Sequence, residues 1–232
     1  MTTPPAVLLV GDVHGQVPRL QRALSQYDPS LWTTVFLGDL VDGGDFGVGA
    51  LRLARDRPNS EVLLGNHEIL MLGALAEYPR SGPATAFWAG VGGRPHDLRE
   101  LASDPELAAW LRQRPAMLRL PDGTVAQHCD SDSLGRFADR SAPDVIESVN
   151  QGVRTLIDAG EWGLLWDAMT SHGIFERQPG RLAAWLSATG ARRVAHGHHP
   201  MSGAIPRIYG NGLALGYCPA RGRVAAAPLP LD

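Results

Sequence analysis

Asp12 and His14 follow a short apolar run, two residues apart, so a carboxylate and an imidazole can turn to the same side there and hold one divalent cation. Alone, such a pair is also what a turn aspartate and a surface histidine would produce. Asp39 ends a second apolar run, and Asn66-His67 ends a third. Asp12 and Asp39 are 27 residues apart, and so are Asp39 and Asn66. That length suits one strand-helix-strand step of a parallel sheet, so the three blocks are predicted to lie side by side. His128 and His198 each follow a later strand-like run and complete a second donor set. His196 is the alternative to His198, but only His198 is preceded by a glycine.

The resulting expectation is a pair of metals. Asp12, His14 and Asp39 hold the first; Asp39, Asn66, His128 and His198 hold the second, with Asp39 bridging. Mixed nitrogen and oxygen donors suit Mn²⁺, with Fe or Zn²⁺ as alternatives. Two such ions about 3.5–4 Å apart acidify a water and clamp a phosphoryl group for in-line attack by the hydroxide. The leaving oxygen then needs a proton. His67, next to Asn66, is the candidate acid, and Asp42 is placed to orient it. Glu68 reads as an acidic residue at a helix start.

The elements that must position these groups follow a βαβαβ alternation. Strands are expected at Ala6–Val10, 34–37 and 61–64, and helices at 18–26, 47–55 and 69–77. Every polar block falls at the carboxyl end of a strand, where parallel sheets bind ligands. Residues 79–115, punctuated by Gly and Pro, read as a small helical insertion over the site, including a helix at 104–112 capped by Asp104. A hairpin turning at Asp122-Gly123 joins strands 117–120 and 124–127. Helices are expected at 143–158 and 182–188, a strand at 193–195, and a β-rich stretch at 205–224. The tail after Ala225 is expected to fray. The fold class is α/β, a two-sheet sandwich flanked by helices, in a single domain spanning 1–232.

Composition narrows the chemistry. The net charge of −3 gives no basic footprint for nucleic-acid backbone. The chain has no lysine, so P-loop and Schiff-base chemistries are excluded. Two cysteines, Cys129 and Cys218, argue for a reduced, cytoplasmic protein and not a disulfide scaffold. Met1–Pro5 lacks a basic leader, and the apolar run after it is too short to be a signal peptide or to span a membrane.

The three blocks read Gly11-Asp12-Val13-His14-Gly15, Gly38-Asp39-Leu40-Val41-Asp42-Gly43-Gly44 and Gly65-Asn66-His67-Glu68, and a fourth reads Gly197-His198-His199-Pro200. This set resembles the calcineurin-like metallophosphoesterases, and within them the branch of protein Ser/Thr phosphatases, lambda-type phosphatases and diadenosine tetraphosphate hydrolases. The resemblance covers the chain from the first strand to about residue 200. It implies the two-sheet fold, a dinuclear metal site, and a phosphorylated small molecule, nucleotide or phosphoprotein as substrate. Two family arginines that would grip phosphate are replaced, by Gly43 and Leu64. Arg136, Arg177 and Arg94 are the candidate substitutes.

A phosphomonoesterase is the first reading; a dinucleoside polyphosphate hydrolase or a phosphodiesterase is the alternative. Trp88, in the insertion, could stack a nucleobase, whereas Trp162, Trp166 and Trp185 read as core. His199 is expected to line the site, and His96 and His172 to lie at the surface. A cysteine phosphatase built on His128-Cys129 fails on spacing, because six residues instead of five separate Cys129 from Arg136. A non-catalytic module that kept the fold is the remaining rival.

Overall fold

A computed structural model describes residues 6–139, 141–220 and 222–230 of the chain. Expectations for Met1–Pro5 and for the last two residues lie outside these. Strands β1 (Ala6–Val10), β2 (Trp32–Phe36) and β3 (Ser60–Val62) pair in parallel, linked by helices α1 (Val17–Leu24) and α2 (Gly47–Asp56). The 27-residue spacing is therefore one strand-helix-strand step each time. β1 lies where the sequence pattern placed it, while β2 and β3 shift one or two residues earlier when ladder hydrogen bonds define them. The last apolar residue of each run, Leu37 or Leu64, is already turning into a loop.

The tail departs from expectation. Residues Ala226–Pro228 form β9, antiparallel to β1, which gives a sheet of order β3-β2-β1-β9. Leu229 N–H donates to the Val7 carbonyl, and Ala227 and Leu229 are buried. The stretch looks like fraying in sequence because it is short, small-residued and Pro-punctuated. What makes it a strand is the free edge that β1 offers it.

The second sheet, of order β4-β5-β6-β8-β7, takes β4 (Met117–Arg119), β5 (Thr124–Gln127), β6 (Arg193–His196), β7 (Arg207–Tyr209) and β8 (Ala214–Gly216). Alternate residues divide the core. Val7, Leu9, Val35 and Leu37 meet Ala126, Ala195 and Leu215 between the sheets. Leu8, Val10 and Phe36 face the helices. Strands buried on both faces must read as continuous apolar runs, as these do.

Helix α3 (Asn66–Glu77) starts at the third block itself, three residues earlier than expected. The segment at 79–115 holds three short helices, α4 (Pro83–Gly90), α5 (Pro95–Ala102) and α6 (Pro105–Arg112). Asp104 caps α6 by accepting the Leu107 N–H. Helices α7 (Val145–Ala159), α8 (Trp162–Met169), α9 (Ile174–Arg177) and α10 (Pro179–Thr189) cover the second sheet and its flank. No helix among the described residues is long and apolar enough to cross a membrane.

Candidate metal centre

The loops after β1, β2, β3, β6 and β8 line one cleft of about 490 Å³, with Asp12, His14, Asp39, His67 and His198 among its residues, and the loop after β5 brings the buried His128 to the same donors. Six carboxyl-terminal strand ends therefore supply the site, as the arrangement of a parallel sheet requires. Two groups of donors converge there, His14-Asp39-His67 and Asp39-His128-His198, each with its donor atoms within 4.8 Å of one another. Asp39 belongs to both. Asp12 adds a carboxylate 3.7 Å from His14 Nε2, and Asn66 Oδ1 lies 2.8 Å from His128 Nε2. All six sequence-predicted donors are thus brought together. A larger groove of about 700 Å³ lies along α7, but its ionisable lining residues are Asp139, Asp144 and Glu147, with no histidine.

The second ring nitrogen of each imidazole reports how well the set suits divalent ions. His128 Nδ1 lies 2.7 Å from the Leu37 carbonyl, His14 Nδ1 3.3 Å from that of Val41, and His198 Nε2 3.2 Å from that of Thr170. A carbonyl only accepts, so each of these nitrogens carries the proton. For His14 and His198 the opposite nitrogen is left with a lone pair, which is the tautomer a metal needs, whereas His128 Nε2 faces Asn66 Oδ1 and Asp39; burial opposes its charge, but Asp39 raises its pKa to about 9. His67 differs. Its Nδ1 is 2.9 Å from Asp42 Oδ2, a carboxylate, which favours the imidazolium.

The backbone is held in costly shapes at this place. His14, Asp39, Asp42 and His198 all have positive φ, between 48° and 65°. Non-glycine residues adopt this region rarely, and such strain gathers at functional sites. Glu68 helps hold it. Its buried carboxylate accepts the N–H groups of Gly65, Asp39, Leu40 and Val41 at 2.7–3.2 Å. The sequence suggested a helix-start acid; the structure has that residue tie the second block to the third. Gly38, at φ +95°, lets the chain pass so closely that a Cβ there would meet Gly65 N at 2.6 Å and His128 Nδ1 at 2.8 Å.

Electrostatics follow from burial and crowding. Burial works against the charge of Asp39, but His128 and His67 beside it hold its carboxyl well below the usual carboxylate range. Burial likewise opposes the His67 imidazolium, yet Asp39 and the bond to Asp42 raise it to about 9. Burial pushes the Asp42 carboxyl up, against the pull of its bonds to His67 and Trp88.

Several expectations change here. Trp88 is buried, and its indole N–H donates to Asp42 Oδ1 at 2.8 Å, so it has no face to offer a nucleobase. The insertion contributes none of the described residues lining the cleft. It braces the second block instead: the Gly92 carbonyl accepts the Gly43 N–H, Arg94 donates to the Gly43 and Gly44 carbonyls, and Asp97 accepts the Gly47 and Val48 N–H groups. Of the other arginines, Arg136 lies over the Phe137 ring and reaches the Leu164 carbonyl, outside the cleft lining. Arg177 donates to the His172 carbonyl at 2.8 Å and also stays out of the lining. His196 is buried, with Nε2 2.8 Å from the Tyr209 hydroxyl, so His198 is the histidine that faces the cleft. His199 lines it, and so does His172, which is exposed as expected. Cys218 and Arg223 line it too, from loops with no motif to reveal them. His96 is exposed. Trp162 and Trp166 are only half-buried; Trp166 stands edge-on to His67 at 6.3 Å. Cys129 is fully buried and its thiol is pushed up to about 12 by burial, which removes it as a nucleophile.

Comparison with known proteins gives this arrangement its place. Over 117 residues the chain is 33% identical to a symmetrical bis(5'-nucleosyl)-tetraphosphatase of Methylococcus capsulatus, a stretch that is 49% of this chain and 39% of that protein. Over 112 residues it is 34% identical to the same type of enzyme in Sodalis glossinidius, covering 47% of this chain and 37% of that one. Each alignment thus takes in well under half of the relative's length. The fold is similar to that of a cold-active protein-tyrosine phosphatase of a psychrophilic Shewanella, at TM-score 0.65 and 18% identity over 92% of this chain and 70% of that chain. A protein serine/threonine phosphatase of Saccharomyces cerevisiae gives TM-score 0.60 at 16% identity over 94% and 68%. The family model for calcineurin-like phosphoesterases matches residues 5–215, and the chain belongs to that family.

Proposed function

We propose that this protein is a hydrolase that cleaves phosphate esters with two divalent cations. The observation that carries the reading is the pair of donor groups joined at Asp39. We assign Asp12, His14 and Asp39 to one ion, and Asp39, Asn66, His128 and His198 to the other. Mn²⁺ suits this set, with Fe or Zn²⁺ as alternatives. When bound, such a pair would acidify a water and neutralise the phosphoryl oxygens.

The chain's own residues supply the rest. Asp42 holds the proton on His67 Nδ1 and leaves Nε2 to face the cleft. From there the imidazolium would donate a proton to the departing oxygen. The insertion at 79–115 acts as a brace within one domain, since Trp88 fixes the carboxylate that orients His67. The two unpaired cysteines suit the cytoplasm.

Phosphomonoesters are the first substrate class. A second reading, hydrolysis of dinucleoside polyphosphates, is favoured by the curated relatives, which are bis(5'-nucleosyl)-tetraphosphatases. The test is turnover of an aryl phosphomonoester, an aryl phosphodiester and diadenosine tetraphosphate by protein stripped of metal and then supplied with Mn²⁺. Mn²⁺-dependent turnover is expected, and the preferred substrate separates the readings. Asp39→Asn should cut turnover by more than about 100-fold and lower metal content, since outer partners of metal ligands alone are worth that much. Two bound metals without turnover on any substrate would leave a non-catalytic module as the better description.

A further inference from the structure

Beyond the metal donors, the cleft has a second end. Four imidazoles run outward in a row, with ring centroids 5.0 Å apart from His128 to His198, 5.8 Å from His198 to His172 and 5.3 Å from His172 to His199. The first is fully buried and His172 is exposed, so the row leads from the metal centre to the mouth. His172 and His199 stack at an interplanar angle of 16°. The loop carrying His172 is anchored from below: Asp130 accepts the Gly173 N–H, and Arg177 donates to the His172 carbonyl. The ring nitrogens of His199 have no hydrogen-bond partner among the described residues. Arg223, on the loop after β8, lines the same cleft, and its guanidinium has no ion pair or side-chain hydrogen bond among the described residues. The nearby carboxylate of Glu176 is taken by Arg207. Among the described residues the only carboxylates lining the cleft are Asp12 and Asp39, both assigned above to the metal pair.

An unpaired guanidinium and an imidazole free to donate, lining one cleft, are ready partners for an anion. The volume of about 490 Å³ is in the range of pockets that enclose a nucleotide-sized ligand. We propose that Arg223 and His199 form an anion subsite that holds a second phosphoryl group of the substrate, next to the one attacked at the metal pair, with His172 as the positioning residue stacked under His199. This rests on the two-metal reading above. It assigns the protein to substrates that carry phosphoryl groups in series, and it supplies a phosphate grip from a different part of the chain than Gly43 and Leu64.

The experiment is calorimetric binding of AMP and ADP to the Mn²⁺-loaded protein, with Mn²⁺ in excess of nucleotide. The two ligands differ by one phosphoryl group. The wild-type protein should bind ADP about tenfold more tightly than AMP, and Arg223→Gln should remove most of that ratio. His199→Ala should reduce the ratio too, with two metals per chain still present by atomic absorption. Equal binding of AMP and ADP by the wild type would overturn the inference, as would a wild-type ratio in Arg223→Gln. Aryl phosphate turnover is measured on the same preparations. If turnover is absent while the ratio and its loss are present, the hydrolase reading fails and the subsite stands.

Discussion

At the scale of single residues, the site works by deciding which nitrogen of each histidine holds a proton. Backbone carbonyls do this for His14, His128 and His198, and a carboxylate does it for His67. The carboxylate at Nδ1 would set His67, the proposed proton donor, apart from the proposed metal donors. His67→Asn should therefore keep both metals. It should slow turnover of alkyl phosphates by about 10²–10⁴-fold, and that of aryl phosphates, whose leaving group needs no proton, far less. Equal rates for wild type and variant on an alkyl phosphate would remove His67 as the acid. His196 illustrates the opposite case. Burial lowers its pKa to about 4. In the unfolded chain it would take a proton near 6.5, so between these values the unfolded state binds the extra proton. Stability should be lost as pH falls from 6.5 towards 4, by about 3 kcal/mol from this group. Urea midpoints at pH 7 and 4.5, flatter with pH in His196→Asn, check the sign.

At the scale of elements, loops are held by groups from elsewhere in the chain. Glu68 on α3 takes four N–H groups, three of them from the loop after β2. Trp88 on α4 holds Asp42. Trp88→Phe would keep the packing bulk and remove one donor to a buried carboxylate, a loss of about 1.5–3 kcal/mol in that bond. The expected result is a lower kcat with metal content unchanged, and a pH–rate profile whose limb for His67 is displaced. An unchanged profile would make Trp88 a packing residue only.

At the scale of the whole molecule, the two sheets meet between Val7, Leu9, Val35 and Leu37 on one side and Ala126, Ala195 and Leu215 on the other. The sheet carrying the first three blocks ends in β9, drawn from the far end of the chain. Deleting 226–232 would bare the edge of β1 and unbury Ala227 and Leu229. A fall in Tm of about 5–10 °C is expected, with aggregation through the open edge. A scanning calorimetry trace matching the full chain would show that β9 adds no stability.

The motif residues and the strands before them were legible because both signals are local. An apolar run followed by Gly-Asp or Gly-Asn states a strand end and a donor together, and equal spacing between blocks places neighbours in a parallel sheet. The six candidate donors that the fold brings together followed from that, and the resemblance of the motifs implied the family and the two-sheet class. The rest depended on distance. His172, His199, Cys218 and Arg223 reach the cleft from loops without a motif, and no spacing rule connects them to Asp12. Trp88 reads as an exposed aromatic until α4 is packed against the second block. Glu68 satisfies a helix-start rule locally, while three of its four bonds cross to another loop. Residues 226–228 become a strand through the partner they find and not through their composition. Local periodicity is written in neighbouring residues. Burial, proton placement and edge pairing depend on which remote segments arrive, and only the folded chain brings those together.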